Sequence, residues 1–404
     1  MNKSVVLLVI YCFSSLALAA QDSSTDGSPD PYGDLVINTK GGLEVTTTDG
    51  EFSMQFGGRI LADVALFDED KNVLGNGSEL RDLRLDLEGR LFADFIYELS
   101  VDFSDGDADV KDAWAAYDAI YPWRFSVGHF KEPFSLEEMT SKRYLTFMER
   151  ALPNAFAPGR NMGIGAHWSG EQMTFAAGLF GDDYNDDTDD EGDEGWGVSG
   201  RLTYAPLAED RSALHLGIAA SYRKTDDEEE VRIDTRPESH LTDIRYLDTG
   251  KLKQSHSTTL LGLEGAWVSG SLSVQGEWMQ AKVERDESVE PTFEGWYLQV
   301  SWFLTGESRR YKQSLAKFGR IRPLSDHGAV EVAARFSSLD LNDGEIEGGS
   351  SDNVTLGINW YINKQIRLMA NTIFVDNDRF ADANGDVEGE DSPSILQLRA
   401  QVDF

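Results

Sequence analysis

The sequence has a single cysteine in 404 residues, Cys12, and it lies in an apolar leader-like stretch. Disulfide and thiol chemistry are thereby excluded from the remainder, so a secreted chain of this size depends on strand pairing or a large core. Long apolar runs are also missing. After residue 20 nothing approaches the ~18 consecutive apolar residues of a transmembrane helix, so a membrane crossing would have to use strands. Positive charge is scarce, with 36 Lys and Arg against 71 Asp and Glu and a net charge of -35. That balance argues against a nucleic-acid partner or a general polyanion binder.

What is present begins with a leader. Lys3 precedes an apolar run from Val5 to Leu18, and Ala17-Leu-Ala19 supplies a small-x-small cleavage pattern, so residues 1–19 read as a signal peptide. Residues 20–34 read as a short polar segment and 35–404 as one unit, because no Pro/Ser/Gly linker divides them. The acid is concentrated in runs at 182–194, 226–230 and 376–391, which read as solvated loops.

Period-two alternation recurs along the chain. Phe52, Met54, Phe56, Ile60, Val64 and Leu66 share one face of the first long stretch, and Ser53, Gln55, Arg59 and Asp63 share the other. The same pattern marks LDLEGRLF, TTLLGLEGAW, GAVEVAARF, NVTLGINWY and LQLRAQVDF, with tight turns between several of them. This predicts an all-β antiparallel meander. Alternation alone does not distinguish a sandwich core from a lipid-facing barrel. The second face decides, since Arg59, Arg84, Asp102, Arg201, Glu264, Glu331, Arg335, Arg367 and Arg399 would all lie on it, which suits a water-filled lumen. Tryptophans 123, 168, 196, 267, 278, 296, 302 and 360 fall toward strand ends, as interfacial girdles do. The chain stops on an amphipathic strand ending at Phe404, which resembles the signal read by the outer-membrane assembly machinery. At ~10 residues per strand the length accommodates about 16 strands in a transmembrane barrel.

A barrel of that size has a lumen too wide for side chains to fill. KEPFSLEEMTSKRYLTFMER, from Lys131 to Arg150, lacks strand periodicity and mixes Lys, Arg and Glu densely. A loop from 131 to about 160, folded inward between water and the wall, would have this composition and would narrow the pore. Arg and Lys at such a constriction favour anions, Arg through its planar donor fork and Lys as a point charge.

These stretches also carry a family resemblance. LVINTKGGLEVTTTDGEFSMQFGGR (35–59), ELRDLRLDLEG (79–89), the loop beginning at Lys131, LTGESRRYKQSLAKFGRIRP (304–323), LGINWY (356–361) and the closing strand together resemble the phosphate-selective porin O/P family. The resemblance implies a 16-stranded, trimeric outer-membrane barrel that passes phosphate or polyphosphate anions, with its third loop folded into the pore. It implies contact with outer-membrane lipid and lipopolysaccharide, and no cofactor. Arg59 matches the first-strand pore arginine and Arg81 the first of two adjacent arginines, while Lys142, Arg143 and Arg150 stand at basic family positions. Arg84 and Lys131 add positive charge where the family tunes selectivity. Asp82 and Glu138 instead place acid where cations are expected, which keeps a weakly selective or cation-preferring pore in view. Parity also puts Arg81 with Leu83 and Leu85, away from the lumen.

An outer-membrane barrel enzyme is the remaining class. Neither GxSxG nor HExxH occurs, and histidines 129, 167, 215, 240, 256 and 327 are scattered, so they read as loop or lumen-wall residues. Asp105-Gly-Asp107-Ala-Asp109 and Asp382-Ala-Asn384-Gly-Asp386 lack the full EF-hand pattern, and turn chemistry accounts for them.

Overall fold

The alternation is inside out relative to a soluble protein. In the computed structural model Val64, Leu66, Ile218, Leu263, Leu298, Leu356 and Leu398 are exposed, whereas Arg59, Asp63, Arg84, Glu264, Glu331, Arg335, Arg367 and Arg399 are buried. The structure describes residues 35–39, 42–181, 194–226, 230–286 and 290–404. The expected signal peptide, the polar segment 20–34 and much of the acidic runs at 182–194 and 226–230 lie outside the described residues.

Sixteen antiparallel strands close into a barrel. They are β1 (Ser53–Asp68), β2 (Gly77–Leu91), β3 (Phe95–Asp102), β4 (Asp109–Tyr117), β5 (Trp123–Lys131), β6 (Arg160–Ser169), β7 (Met173–Phe180) and β8 (Trp196–Glu209). There follow β9 (Ser212–Lys224), β10 (Ser255–Ser269), β11 (Leu272–Arg285), β12 (Thr292–Phe303), β13 (Ala329–Asp343), β14 (Ile346–Tyr361), β15 (Ile366–Asn377) and β16 (Ser394–Asp403). Each pairs with the next, and β16 returns to β1, with Arg399 opposite Asp63 and Asp403 opposite Arg59. Closure leaves no open edge, so every strand finds backbone partners without water. A hairpin, Leu35–Asn38 with Leu43–Thr47, extends the sheet along the first residues of β1.

The seam depends on one glycine. Phe404 N donates to Gly58 O at 3.1 Å and Gly58 N to Phe404 O at 3.0 Å. A Cβ on Gly58 would stand 2.4 Å from the Arg84 carbonyl oxygen and 2.7 Å from the Phe404 ring, too close for either. Gly58→Ala is therefore expected to loosen the closure, lowering the temperature at which the folded barrel loses its compact gel mobility. A wild-type transition in that variant would show that the seam does not need the close approach.

Trp196, Trp267, Trp302 and Trp360 sit near strand ends and are exposed, as the girdle reading requires. Trp278 and Trp296 instead face each other in mid-strand, flanking an outward groove where Gly265 and Gly276 pair.

Two expectations about the interior need revision. The inward face is not polar throughout. Toward the long loops, Phe67, Met279, Val283, Phe293, Leu339, Ile373 and Ile395 point inward and pack with Phe134, Leu152 and Phe156 of the β5–β6 loop and Tyr246, Leu247 and Leu252 of the β9–β10 loop. The loops bring their own apolar residues, and the wall buries them as a core would. Nor is the turn end uniformly tight, because residues 304–328, between β12 and β13, form a long basic connection. Arg201 Nη2 donates to the Ala316 carbonyl at 2.9 Å, Arg309 Nη1 to Gln275 Oε1 at 3.0 Å, and Tyr311 OH lies 2.6 Å from His215 Nδ1, so this segment enters the lumen.

Candidate functional site: the lumen at the β5–β6 loop

The β5–β6 loop crosses the lumen because the far wall satisfies its backbone. Leu136 N and Glu137 N donate to the two carboxylate oxygens of Glu277 on β11 at 2.9 and 2.8 Å. These are free amides at the start of a one-turn helix α1 (Leu136–Met139), whose cap Ser135 accepts from Glu138 N. Farther on, Leu152 N donates to Ser337 Oγ at 2.9 Å and Met148 N to Asn371 Oδ1 at 2.8 Å. Arg367 donates to the carbonyls of Leu145 and Thr146, and Arg335 to that of Glu149. Several wall arginines are thus engaged in holding the loop.

Six of the seven cations singled out by sequence gather in two groups. At the first, Arg59 Nη2 lies 2.8 Å from Asp82 Oδ2, Arg84 Nε lies 3.3 Å from Asp82 Oδ1, and Lys142 Nζ lies 3.9 Å from Asp82 Oδ2. Arg84 also reaches Asp102 at 3.2 Å, and Arg143 stands 3.4 Å from Asp86. At the second, Glu138 receives Lys131 at 2.7 Å and Arg150 at 3.2 Å. Arg150 further donates to the carbonyls of Glu137, Glu138 and Thr140, closing the loop on itself. Arg160, just beyond, pairs with both oxygens of Asp112.

Arg81 is where parity fails. Leu61 pairs with Asp82 and Ala62 with Leu80, so Arg81 is the extra residue of a β-bulge. A bulge re-aims the side chain it inserts. Arg81 accordingly turns inward and clamps Glu149 with two hydrogen bonds of 2.9 and 3.1 Å.

On the loop itself, burial opposes ionisation of Glu138, but Arg150 and Lys131 outweigh it and hold the carboxyl below the usual range. The same balance, through Arg81 and Arg399, keeps Glu149 well below it. Burial, then the adjacent Arg81, pull the Lys142 ammonium well below the ordinary lysine value against Glu149 and Asp82.

Sequence reasoning missed Glu149, Glu277 and Glu238. Glu277 has lumen parity with Gln275, a signal that could have found it. Glu238, which pairs with Arg335 at 2.7 Å, comes from the β9–β10 loop, where no period exists to read. Among the described residues no group of three or more His, Cys, Asp or Glu is arranged to hold a metal ion.

An outward apolar belt, a charged lumen and an inward loop define an outer-membrane porin, a multi-pass β-barrel channel. The comparisons place it more narrowly. The family described as phosphate-selective porin O and P matches residues 54–404, and the chain belongs to that family. Porin O of Pseudomonas aeruginosa is 30% identical, with 96% of this chain and 98% of that protein covered. A Caulobacter vibrioides protein is 33% identical, covering 84% of this chain and 71% of that one. Among solved structures, an anion-selective porin from Comamonas acidovorans superposes with a TM-score of 0.59 at 15% identity over 88% of this chain and 100% of that chain. OmpT, an outer membrane protein of Vibrio cholerae, gives 0.57 at 10% over 88% and 98%. At those identities both bear on the fold alone.

Proposed function

We propose that the channel conducts small anions, phosphate-type oxyanions among them, by passive diffusion down their own gradient. The observation that carries this reading is the convergence of Arg59, Arg84, Lys142 and Arg143, from two neighbouring strands and the inserted loop, on one region of the lumen. Arg59 and Arg84 are direct register partners. Like charges placed opposite each other are unfavourable in a sheet, so this pairing points to a task more than to stability. The family description supports the same assignment. Assembly as a trimer, which the family resemblance implies, is part of the reading. Transport of this kind needs neither cofactor nor catalysis.

One observation favours a second reading, a weakly selective pore. Each of Arg59, Arg81, Arg84, Lys131, Lys142, Arg143 and Arg150 has a carboxylate oxygen no farther than 3.9 Å away. The acidic loops do little to reinforce it, because screening limits their reach to about 8 Å at physiological salt.

The zero-current potential of the purified channel across a KCl gradient separates the two. An anion preference is expected, and Lys142→Ala combined with Arg143→Ala is expected to move the potential toward zero while the barrel still assembles. An unchanged potential in the double variant would remove these two residues from the permeation path. A wild-type value at or beyond zero on the potassium side would favour the second reading.

A further inference from the structure

We propose that Asp82 is a tethered counter-anion: its carboxylate occupies the seat that a free oxyanion would otherwise take among Arg59, Arg84 and Lys142, and so keeps the pore from retaining phosphate. The inference rests on the anion path proposed above and adds the residue that sets how tightly an anion is held there.

Three cations from three places in the chain surround this one carboxylate, which is itself fully buried. Arg59 comes from β1, Arg84 from β2 and Lys142 from the inserted loop. Asp82 lies beside the bulge at Leu61, which places it within reach of all three. Asp102 accepts from Arg84 Nη2, so these three cations face two carboxylates, with the Arg143–Asp86 pair beside them.

The fit is incomplete in a way that points to a ligand with more oxygens. Arg59 Nη2 donates to Asp82 Oδ2, but Arg84 Nε and Asp82 Oδ1, 3.3 Å apart, meet as an ion pair out of hydrogen-bonding alignment, and the buried Arg59 Nε has no hydrogen-bond partner among the described residues. A planar carboxylate anchored to the backbone presents two oxygens in one orientation. A tetrahedral oxyanion presents oxygens in several directions and can meet two guanidinium forks and an ammonium together. While Asp82 is ionised it both offsets part of the positive charge and fills the space among the cations. An anion then passes without a deep well, as conduction requires that binding remain weak enough for exit.

The test is Asp82→Asn in the full-length channel, reconstituted in a planar bilayer, with inorganic phosphate titrated against a chloride current. The charge-assisted contacts made available predict that the half-blocking phosphate concentration falls about tenfold or more relative to wild type. Asp82→Ser, which keeps a hydroxyl beside Arg59, gives the same reading if Asp82→Asn fails to assemble. Adding Arg59→Gln to either variant is expected to return the blocking concentration toward wild type, because the seat then lacks one fork. Equal phosphate block in wild type and in the assembled single variants would overturn the proposal.

The wild-type zero-current potential tests the underlying reading separately. Anion preference in the wild type with no gain of block in Asp82→Asn sinks the counter-anion role alone. No anion preference in the wild type with block appearing in Asp82→Asn sinks the anion-path reading for the natural channel and supports the role of Asp82.

Discussion

Replacing residues 134–157 by a short Gly-Ser linker is expected to raise single-channel conductance severalfold while weakening discrimination between ions. The loop supplies Lys142, Arg143 and Arg150, so its removal takes three of the candidate cations with it. It also contributes Phe134, Leu136, Phe147, Met148, Leu152 and Phe156, all buried inside the barrel. A barrel of about sixteen strands leaves an aqueous channel unless something fills it, and this loop is bound to the wall at β11, β13, β14, β15 and β16. The barrel itself should persist, because β5 and β6 pair from Trp123–Trp168 to Lys131–Arg160 without help from the loop. Stability should fall, since Met279, Phe293 and Leu339 lose the apolar partners Leu152 and Phe156. Arg335 and Arg367 would then face an open lumen without the loop carbonyls they now bind, leaving a residual bias toward anions. Conductance measured in a bilayer checks this. An unchanged value would place the narrowest point elsewhere, with the inward connection 304–328 the next segment to excise.

The barrel was legible in the sequence because its two faces meet different media. A strand with Val64 and Leu66 on one side and Arg59 and Asp63 on the other has only one economical arrangement once that second side carries so much charge. The exposure of the apolar side bears the reading out. The same rule misplaced Arg81, since one inserted residue shifts parity and nothing in ELRDLRLDLEG announces the bulge between Leu61 and Ala62. Contacts between distant segments were also illegible. Glu277 meets the α1 amides across a separation of 141 residues, and Glu238 meets Arg335 across 97. Neither pairing leaves a local pattern. Asp82 and Glu138 were legible as acids out of place, but their function as partners of particular cations required the geometry of the inserted loop.

Arg399→Met is expected to cause the largest loss of stability of any single substitution in the lumen wall, and to make the channel noisier. Arg399 is buried on β16, where its Nε and Nη2 donate to both oxygens of Asp63 at 2.7 Å. The same guanidinium reaches Glu149 at 2.7 Å and the Met148 carbonyl at 2.5 Å. One side chain therefore joins the seam strands β1 and β16 to the middle of the inserted loop, and Glu149 passes the link on to Arg81. Methionine fills similar volume but leaves Asp63 as a buried, unpaired charge, and breaking a buried pair in this way costs about 3–5 kcal/mol. Removing the stranded partner as well, in Arg399→Met with Asp63→Leu, should recover much of that loss, because the main penalty is the orphaned carboxylate. The double variant should remain noisy, since the loop still lacks the Arg399 contacts at Met148 and Glu149, with only Asn371, Arg81 and Arg335 left to hold it there. Arg399→Lys should fall between, as an ammonium keeps the charge but not the fork. Thermal transitions of the three variants, read beside single-channel recordings, separate seam from tether. If Arg399→Met unfolded at the wild-type temperature, the buried pair would contribute nothing to closure. If its current noise were also unchanged, Glu277, Asn371 and Ser337 would suffice to hold the loop.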